Sequence, residues 1–172
     1  IHQQRIRPIA LALIYHGGNA RTQEYACNDA TLGFLDSAVL PLARKELNLK
    51  DVSEVPGGYG VLGASMGGLM ALYAGLRMPD IFGQVLSQSG AFRLFGYQMV
   101  VVDLVRYFPV QPLNIWMDTG RYEFLLQANR DMHSLLVDRD YQVSYREYPG
   151  GHNYTCWRDD IWRGLAYLFG EA

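Results

Sequence analysis

The sequence predicts an α/β fold: a mostly parallel sheet with helices on both faces. Two observations predict it. Short apolar stretches alternate with amphipathic ones along the chain, which is the pattern of strand–helix–strand units. The longest apolar run, Pro8 to Tyr15, suits a strand buried on both faces. With 172 residues, 49% hydrophobic and 19% charged, the chain has a globular composition and the length for one domain, residues 1–172.

Ile9 to Tyr15 reads as the first strand, and His16 to Asn28 as a polar, glycine-containing loop. Asp29 or Thr31 is positioned to cap a helix reaching about Leu47, with Leu35, Val39, Leu42 and Leu47 toward the core. Pro41 inside it predicts a kink or a break. Asn48 to Gly58 is a turn-rich connection. Tyr59 to Leu62 reads as a strand and Met66 to Arg77 as a helix, which Pro79 ends. Gly83 to Leu86 is the next strand and delivers Ser87-Gln88-Ser89-Gly90. Ala91 to Tyr107 is ambiguous, since Met99-Val100-Val101-Val102 suits helix or strand. Leu113 to Met117 is a strand, Glu123 to Asp138 a helix, and Val143 to Tyr148 a strand. Pro149-Gly150-Gly151-His152 is a turn, and Trp157 to Phe169 a final amphipathic helix. Ligands of such a sheet belong at the carboxyl ends of its strands.

Composition excludes several classes. The formal net charge is -2 and no basic patch stands out, so nucleic acid is not an expected partner. The longest apolar run is too short to span a bilayer. The two cysteines, Cys27 and Cys156, form no C-x-x-C pair, so no metal or cofactor is expected. The chain begins at Ile1 with no charged-then-apolar leader. That favours the cytoplasm but leaves the compartment open.

The chemistry centres on Gly63-Ala64-Ser65-Met66-Gly67, a G-x-S-x-G pentapeptide between a predicted strand and a predicted helix. A serine on such a turn is held in strained geometry with its hydroxyl exposed at the end of the sheet. Gly63 and Gly67 are expected to leave room for the helix to pass close to the strand. The pattern implies an α/β-hydrolase-like serine hydrolase or acyltransferase. Of the four histidines, His2 is terminal, His133 lies mid-helix and His16 precedes the serine. Only His152 follows the last strand, in a glycine-rich turn, and satisfies the order serine, acid, histidine. The acid should follow the strand Leu113 to Met117, where Asp118 and Glu123 both qualify. Asp138 and Asp140 come later and fit less well. The Met66 backbone N–H, at the helix start, is the expected oxyanion donor.

These residues resemble the "Putative esterase" family of α/β-hydrolases, and within it the enterochelin (enterobactin) esterase branch. The resemblance rests on Arg21-Thr22-Gln23-Glu24-Tyr25-Ala26-Cys27-Asn28, Leu40-Pro41, Gly63-Ala64-Ser65-Met66-Gly67-Gly68, Phe82 to Gly90, and Gly150-Gly151-His152-Asn153 leading to Cys156-Trp157-Arg158. It implies a carboxylic ester hydrolase acting through Ser65, His152 and an acyl-enzyme on aryl-acyl or siderophore-type esters. The family's acid lies three residues after a strand-ending glycine. Here that glycine is Gly120, which selects Glu123 over Asp118.

The family's second oxyanion donor lies upstream of Ile1, so His16-Gly17-Gly18 is not expected to supply it. The chain therefore resembles the carboxyl-terminal portion of the family domain, truncated at its N-terminal strands. An exposed sheet edge would then invite a homo-oligomer or a partner chain. Arg21, Glu24, Tyr25 and Trp157 are candidate substrate contacts, with Tyr154 in an aromatic wall. For Arg21 and Glu24 a loop-ordering ion pair is the simpler role. Matching cysteines occur in that branch, and Cys27 and Cys156 fit a disulfide or two reduced thiols. An acyltransferase on the same site, and a non-catalytic module needing a partner segment, remain alternatives.

Overall fold

Parallel pairing of four strand segments organises the computed structural model, which describes residues 6–170. In chain order the elements are α1 (Arg21–Tyr25), α2 (Asp29–Phe34), α3 (Leu40–Glu46), β1 (Gly60–Ala64), α4 (Met66–Arg77) and β2 (Gln84–Gln88). A small hairpin follows, β3 (Arg93–Leu94) and β4 (Tyr97–Gln98), then α5 (Val100–Tyr107), β5 (Asn114–Gly120), α6 (Leu126–Asp138), β6 (Gln142–Tyr148) and α7 (Tyr154–Phe169). The main sheet has the order β1-β2-β5-β6, all parallel, so each strand lies beside the next one in sequence. The ambiguous stretch after β2 resolves into the hairpin and α5.

Side chains alternate across this sheet, as strand geometry requires. Val85, Ile115 and Met117 face a core built by Leu69, Leu72, Val101, Val105, Met132 and Leu136 of α4, α5 and α6. Leu86 and Trp116 face the other way, against Leu168 and Phe169 of α7. Each such side chain, fully buried, stabilises the fold by about 1.5–3 kcal/mol. The two layers are unequal, because α7 covers the second face mainly over β2 and β5. Leu62 of β1 lies in register with Leu86 and Trp116 yet stays 39% exposed.

Three expectations need correction. Residues 9–15 do not form a strand. They make no backbone hydrogen bond to a described residue, and Leu13 and Tyr15 are 80% and 89% exposed. An apolar run records what a strand would bury, but only a paired neighbour makes it one. β1 is an edge strand, with no partner on its outer side among the described residues. Second, the 29–47 helix is not uniform. Asn28 caps it, its side chain accepting the Ala30 N–H at 2.8 Å, and a π-helical turn at Leu35–Val39 separates α2 from α3. The wider turn accommodates Pro41, whose ring would otherwise meet the carbonyl one turn back. It also advances the register by about 100°, so Leu35 is buried while Leu42 and Leu47 are exposed. His2 lies outside the described residues.

The third correction concerns the glycines at the β1–α4 junction. A Cβ on Gly63 would sit 2.5 Å from the Gly67 carbonyl carbon and oxygen, and one on Gly68 would sit 2.7 Å from Ser87 Oγ. A Cβ on Gly67 meets nothing within 4 Å. Close approach therefore depends on Gly63 and Gly68, while Gly67 contributes its backbone. No helix among the described residues is long and apolar enough to cross a membrane.

Gly63→Ala is expected to lose more than about 2 kcal/mol of unfolding free energy through overpacking against backbone. Gly67→Ala is expected to stay within about 1 kcal/mol of the parent, on the stabilising side. Urea unfolding followed by circular dichroism reads both, and equal losses would contradict the assignment.

Candidate active site

The site is assembled at the carboxyl ends of all four strands. Ser65 stands between β1 and α4 with φ +58° and ψ -120°, a conformation that costs a non-glycine residue about 1–3 kcal/mol. Backbone bonds hold it there. The Ser65 N–H donates to Gln88 O at 2.9 Å, and Ser65 O accepts from Ala91 N at 3.1 Å and Leu69 N at 3.0 Å. The elbow is thus bonded to the end of β2 as well as to its own helix. The Met66 N–H, in the first turn of α4, has no intrahelical acceptor and is available to a ligand.

Two loops arrive together because the β5–β6 pairing continues past the strands. The Arg121 N–H donates to Tyr148 O at 2.8 Å and the Tyr122 N–H to Gly150 O at 2.9 Å. That zipper places Glu123, after β5, beside His152, after β6. His152 Nδ1 lies 3.2 Å from Glu123 Oε2, and His152 Nε2 lies 3.0 Å from Ser65 Oγ. The Glu123 side chain is fully buried, whereas that of His152 is 21% exposed. An ionised carboxylate can only accept, so the Nδ1 proton belongs to the imidazole. Nε2 is then the acceptor for the Ser65 hydroxyl. Burial raises the Glu123 carboxyl above its ordinary value, opposed by the Ser89 hydroxyl and by His152.

Asp118, the other acid weighed from sequence, does not reach His152. It lies in register with Gln88 and points into the α7 layer. There it accepts from Trp116 Nε1 at 2.8 Å and Gln88 Nε2 at 3.4 Å. Burial pushes its carboxyl up to about 6, against those two hydrogen bonds.

The remaining candidates separate. Arg21 is exposed on α1 and pairs with no described carboxylate. Glu24 does not pair with it; its carboxylate accepts the Gly17 N–H at 2.9 and 3.2 Å. Loop ordering therefore runs through backbone, and that N–H is occupied. Tyr25 packs on the core beside α4 and meets His16 edge-on at 6.4 Å. Trp157 stands edge-on to His152, centroids 4.8 Å apart, and Tyr154 is largely exposed. Both cysteines are free thiols, and burial pushes the Cys27 thiol up to about 12. No group of three or more metal-ligating side chains occurs among the described residues.

Three residues at the site carried no role in the sequence reading. Ser89 donates to Glu123 Oε2 at 3.0 Å. Asn129 of α6 is fully buried and grips both Gly90 N and Gly90 O, at 3.0 and 2.9 Å. Phe124 lies against His152 with centroids 4.9 Å apart. Ser89 and Phe124 adjoin residues already singled out; nothing local pairs Asn129 with a glycine 39 positions away.

The sheet, its two helical layers and the serine elbow define an α/β-hydrolase-like protein of the esterase type. The chain belongs to the family described as "Putative esterase", whose model matches residues 4–168. It is 36% identical to the iron(III) enterobactin esterase of Dickeya dadantii (strain 3937) over 167 residues, covering 88% of this chain and 38% of that protein. Against the iron(III) enterobactin esterase of Escherichia coli (strain K12) the identity is 31%, covering 98% of this chain and 43% of that protein. The crystal structure of the enterobactin esterase from Shigella flexneri in the presence of 2,3-Di-hydroxy-N-benzoyl-glycine matches with a TM-score of 0.85 at 29% identity. That match covers 97% of this chain and 45% of that one. The chain thus spans less than half the length of these relatives.

Asp118 generates a prediction with a definite sign. A carboxyl whose folded pKa exceeds its unfolded value of about 3.9 stabilises the fold only while protonated. Its contribution is present in full at low pH and is lost as pH rises through about 6. Asp118→Asn keeps an acceptor for Trp116 without the charge. It is expected to raise the melting temperature by several degrees at about pH 7.5 and to give no gain near about pH 4. Differential scanning calorimetry across that range checks it.

Proposed function

We propose that this chain hydrolyses aryl-acyl esters of the siderophore type through an acyl-enzyme on Ser65. The observation that carries the reading is the unbroken hydrogen-bonded line from Ser65 Oγ through His152 to Glu123, at 3.0 and 3.2 Å. The relatives named as enterobactin esterases supply the substrate class.

Ser65 Oγ attacks the ester carbonyl while His152 Nε2 takes its proton. Glu123 orients the imidazole and stabilises the cation that forms. The Met66 N–H receives the developing oxyanion. Collapse of the tetrahedral intermediate expels the alcohol, which leaves with the proton from His152. Water repeats the sequence and frees the acid. Phe124, on the loop after β5, and Trp157, in the first turn of α7, flank the imidazole and offer apolar surface to an aryl acyl group. Tyr25 and Tyr154 extend that surface, and Arg21 offers a planar cation to a carboxylate or phenolate oxygen. Glu24 serves by fixing the loop that carries Arg21.

A second reading concerns completion of the site, and the exposed edge of β1 favours it. A further strand on that edge would cover Leu62 and bring new backbone N–H groups beside Ser65. A second copy of the chain is one source of such a strand. Light scattering behind size exclusion is expected to show a dimer, and a monodisperse monomer would remove the second copy as that source.

The chemistry is tested with a fluorophosphonate probe and an aryl ester. Labelling is expected in the parent chain and none in Ser65→Ala. Glu123→Gln is expected to reduce ester turnover by about 10³–10⁴-fold, as loss of the orienting carboxylate does elsewhere. Asp118→Asn should stay within about threefold of the parent, since its buried side chain bonds Trp116 and Gln88 and makes no hydrogen bond to His152 or Ser65. Equal losses in the two variants would remove Glu123 as the acid.

A further inference from the structure

The hydrogen-bonded line does not stop at Glu123. Glu123 Oε2 accepts a second hydrogen bond, from Ser89 Oγ at 3.0 Å, and Ser89 Oγ itself accepts from Trp157 Nε1 at 3.0 Å. The direction of this chain is forced. An indole N–H can only donate and an ionised carboxylate can only accept. The Ser89 hydroxyl, taking the indole proton on its lone pair, has its own proton left for Glu123. Five groups then hold one consistent polarity: Trp157 to Ser89 to Glu123, and Ser65 to His152 to Glu123.

The scaffold around the extra pair is rigid. Ser89 is fully buried and sits at φ +48°, a left-handed conformation unfavourable to a side chain. Its neighbour Gly90 is clamped by Asn129 through both N–H and C=O. Its other neighbour, Gln88, donates from Nε2 to the Trp157 carbonyl at 3.1 Å. Trp157 is therefore gripped twice by consecutive residues at the end of β2, once by backbone and once by its ring nitrogen. Its ring edge then abuts His152. A residue free to form one wall of a substrate pocket does not need its ring nitrogen tied to the acid's other donor.

We infer that Ser89 and Trp157 are positioning residues that hold Glu123 ionised and aimed at His152. The inference rests on the reading of Ser65 as nucleophile only for its catalytic consequence. Glu123 Oε1 is buried with no hydrogen-bond partner, so Oε2 receives every donor the carboxylate has. Removing one of two donors from a buried carboxylate favours its protonated form. The titratable groups that face Glu123 are His152, from the loop after β6, and Tyr148, at the end of β6. Burial raises the Tyr148 hydroxyl pKa, so it stays neutral and does not compete. Adding a proton to the Glu123 carboxylate then becomes easier, and its apparent pKa moves up.

The test reads Glu123 directly in the full chain. Carbon-13 NMR of the Glu123 carboxyl is followed against pH in the parent, Ser89→Ala and Trp157→Phe, with Glu123→Gln to assign the signal. Ser89→Ala is expected to shift the midpoint upward by about one pH unit, the size set by one hydrogen bond to a charged group. Trp157→Phe should shift it the same way by about half as much, because the hydroxyl loses its orienting donor but not its proton. The acid limb of fluorophosphonate labelling should move with it, and labelling at neutral pH should slow by about tenfold. An unmoved midpoint in folded Ser89→Ala overturns the inference, as does an unmoved midpoint in Trp157→Phe should Ser89→Ala fail to fold. Midpoints that shift as expected in the two variants, beside a parent chain that never labels at Ser65, remove the nucleophile reading and leave the positioning role standing.

Discussion

The closeness with which α4 approaches β1 and β2 sets the position of everything else in the site. Gly63 and Gly68 leave no space for a Cβ, so the helix backbone lies almost on the strands. That proximity requires the chain to turn within one residue, and Ser65 takes up the turn at φ +58°. The strain is offset by what the helix buries: Leu69, Leu72 and Ala74 are wholly inaccessible, and two of them contribute about 1.5–3 kcal/mol each. Because Ser65 is bonded to the end of β2 through its N–H and to Ala91 just beyond it through its C=O, the serine is fixed relative to the sheet as a whole. The loops after β5 and β6 then need only follow the same register to meet it. Misplacement by about 1 Å is enough to cost two orders of magnitude in a reaction that needs aligned groups, so on the proposed reading this rigidity serves catalysis.

The local part of that arrangement was readable from sequence. Met66 to Arg77 is a helix as read, and the strands ending near Ala64, Gln88, Gly120 and Tyr148 were placed to within a few residues. Local pattern suffices there because each element is short and flanked by glycine or proline, and all but β6 are predominantly apolar. Reading failed where the answer lies in a neighbour. Residues 9–15 carry the composition of a strand without a described partner. The phase of α3 depends on a π turn that no propensity scale records. Asn129, Ser89 and Trp157 act through bonds spanning 34 to 69 positions, so no window of sequence contains both ends.

The choice between Asp118 and Glu123 shows how pleat and strand length decide chemistry. Both carboxyls are buried, and burial raises the pKa of both. Their partners differ. Asp118 belongs to β5 itself, so alternation commits it to the α7 face, where it accepts from the neutral N–H groups of Trp116 and Gln88 and lies in register with Arg146, a permanent cation already paired with Asp160. Glu123 lies beyond Gly120, where the strand has ended and the chain can turn over the sheet. It gains a histidine that can become a cation and a hydroxyl that can only donate to it. A carboxylate facing a latent cation stabilises charge at the moment charge forms, whereas one facing fixed dipoles and permanent charges does not. Spacing from the strand left the two acids level because the end of β5 is set by its pairing with β6, out to Tyr148.

The open side of β1 bears on the same question from the other direction. Activating a serine and stabilising its oxyanion are separate tasks. On the proposed reading, His152 and Glu123 perform the first, already joined to Ser65 by hydrogen bonds within the described residues. The second needs donors converging on one point, and Met66 offers one from the helix side. β2 occupies one flank of β1, and the Ser65 backbone already bonds to its end. The flank left for a second donor is the outer edge, where Leu62 is exposed and the backbone is unpaired among the described residues. A strand added there would leave the nucleophile's basicity unchanged, since that is set by the imidazole and its carboxylate. It would add an oxyanion donor, worth about 10²–10³ in rate. Covering that edge therefore acts on how well the developing oxyanion is held, and not on how readily Ser65 gives up its proton.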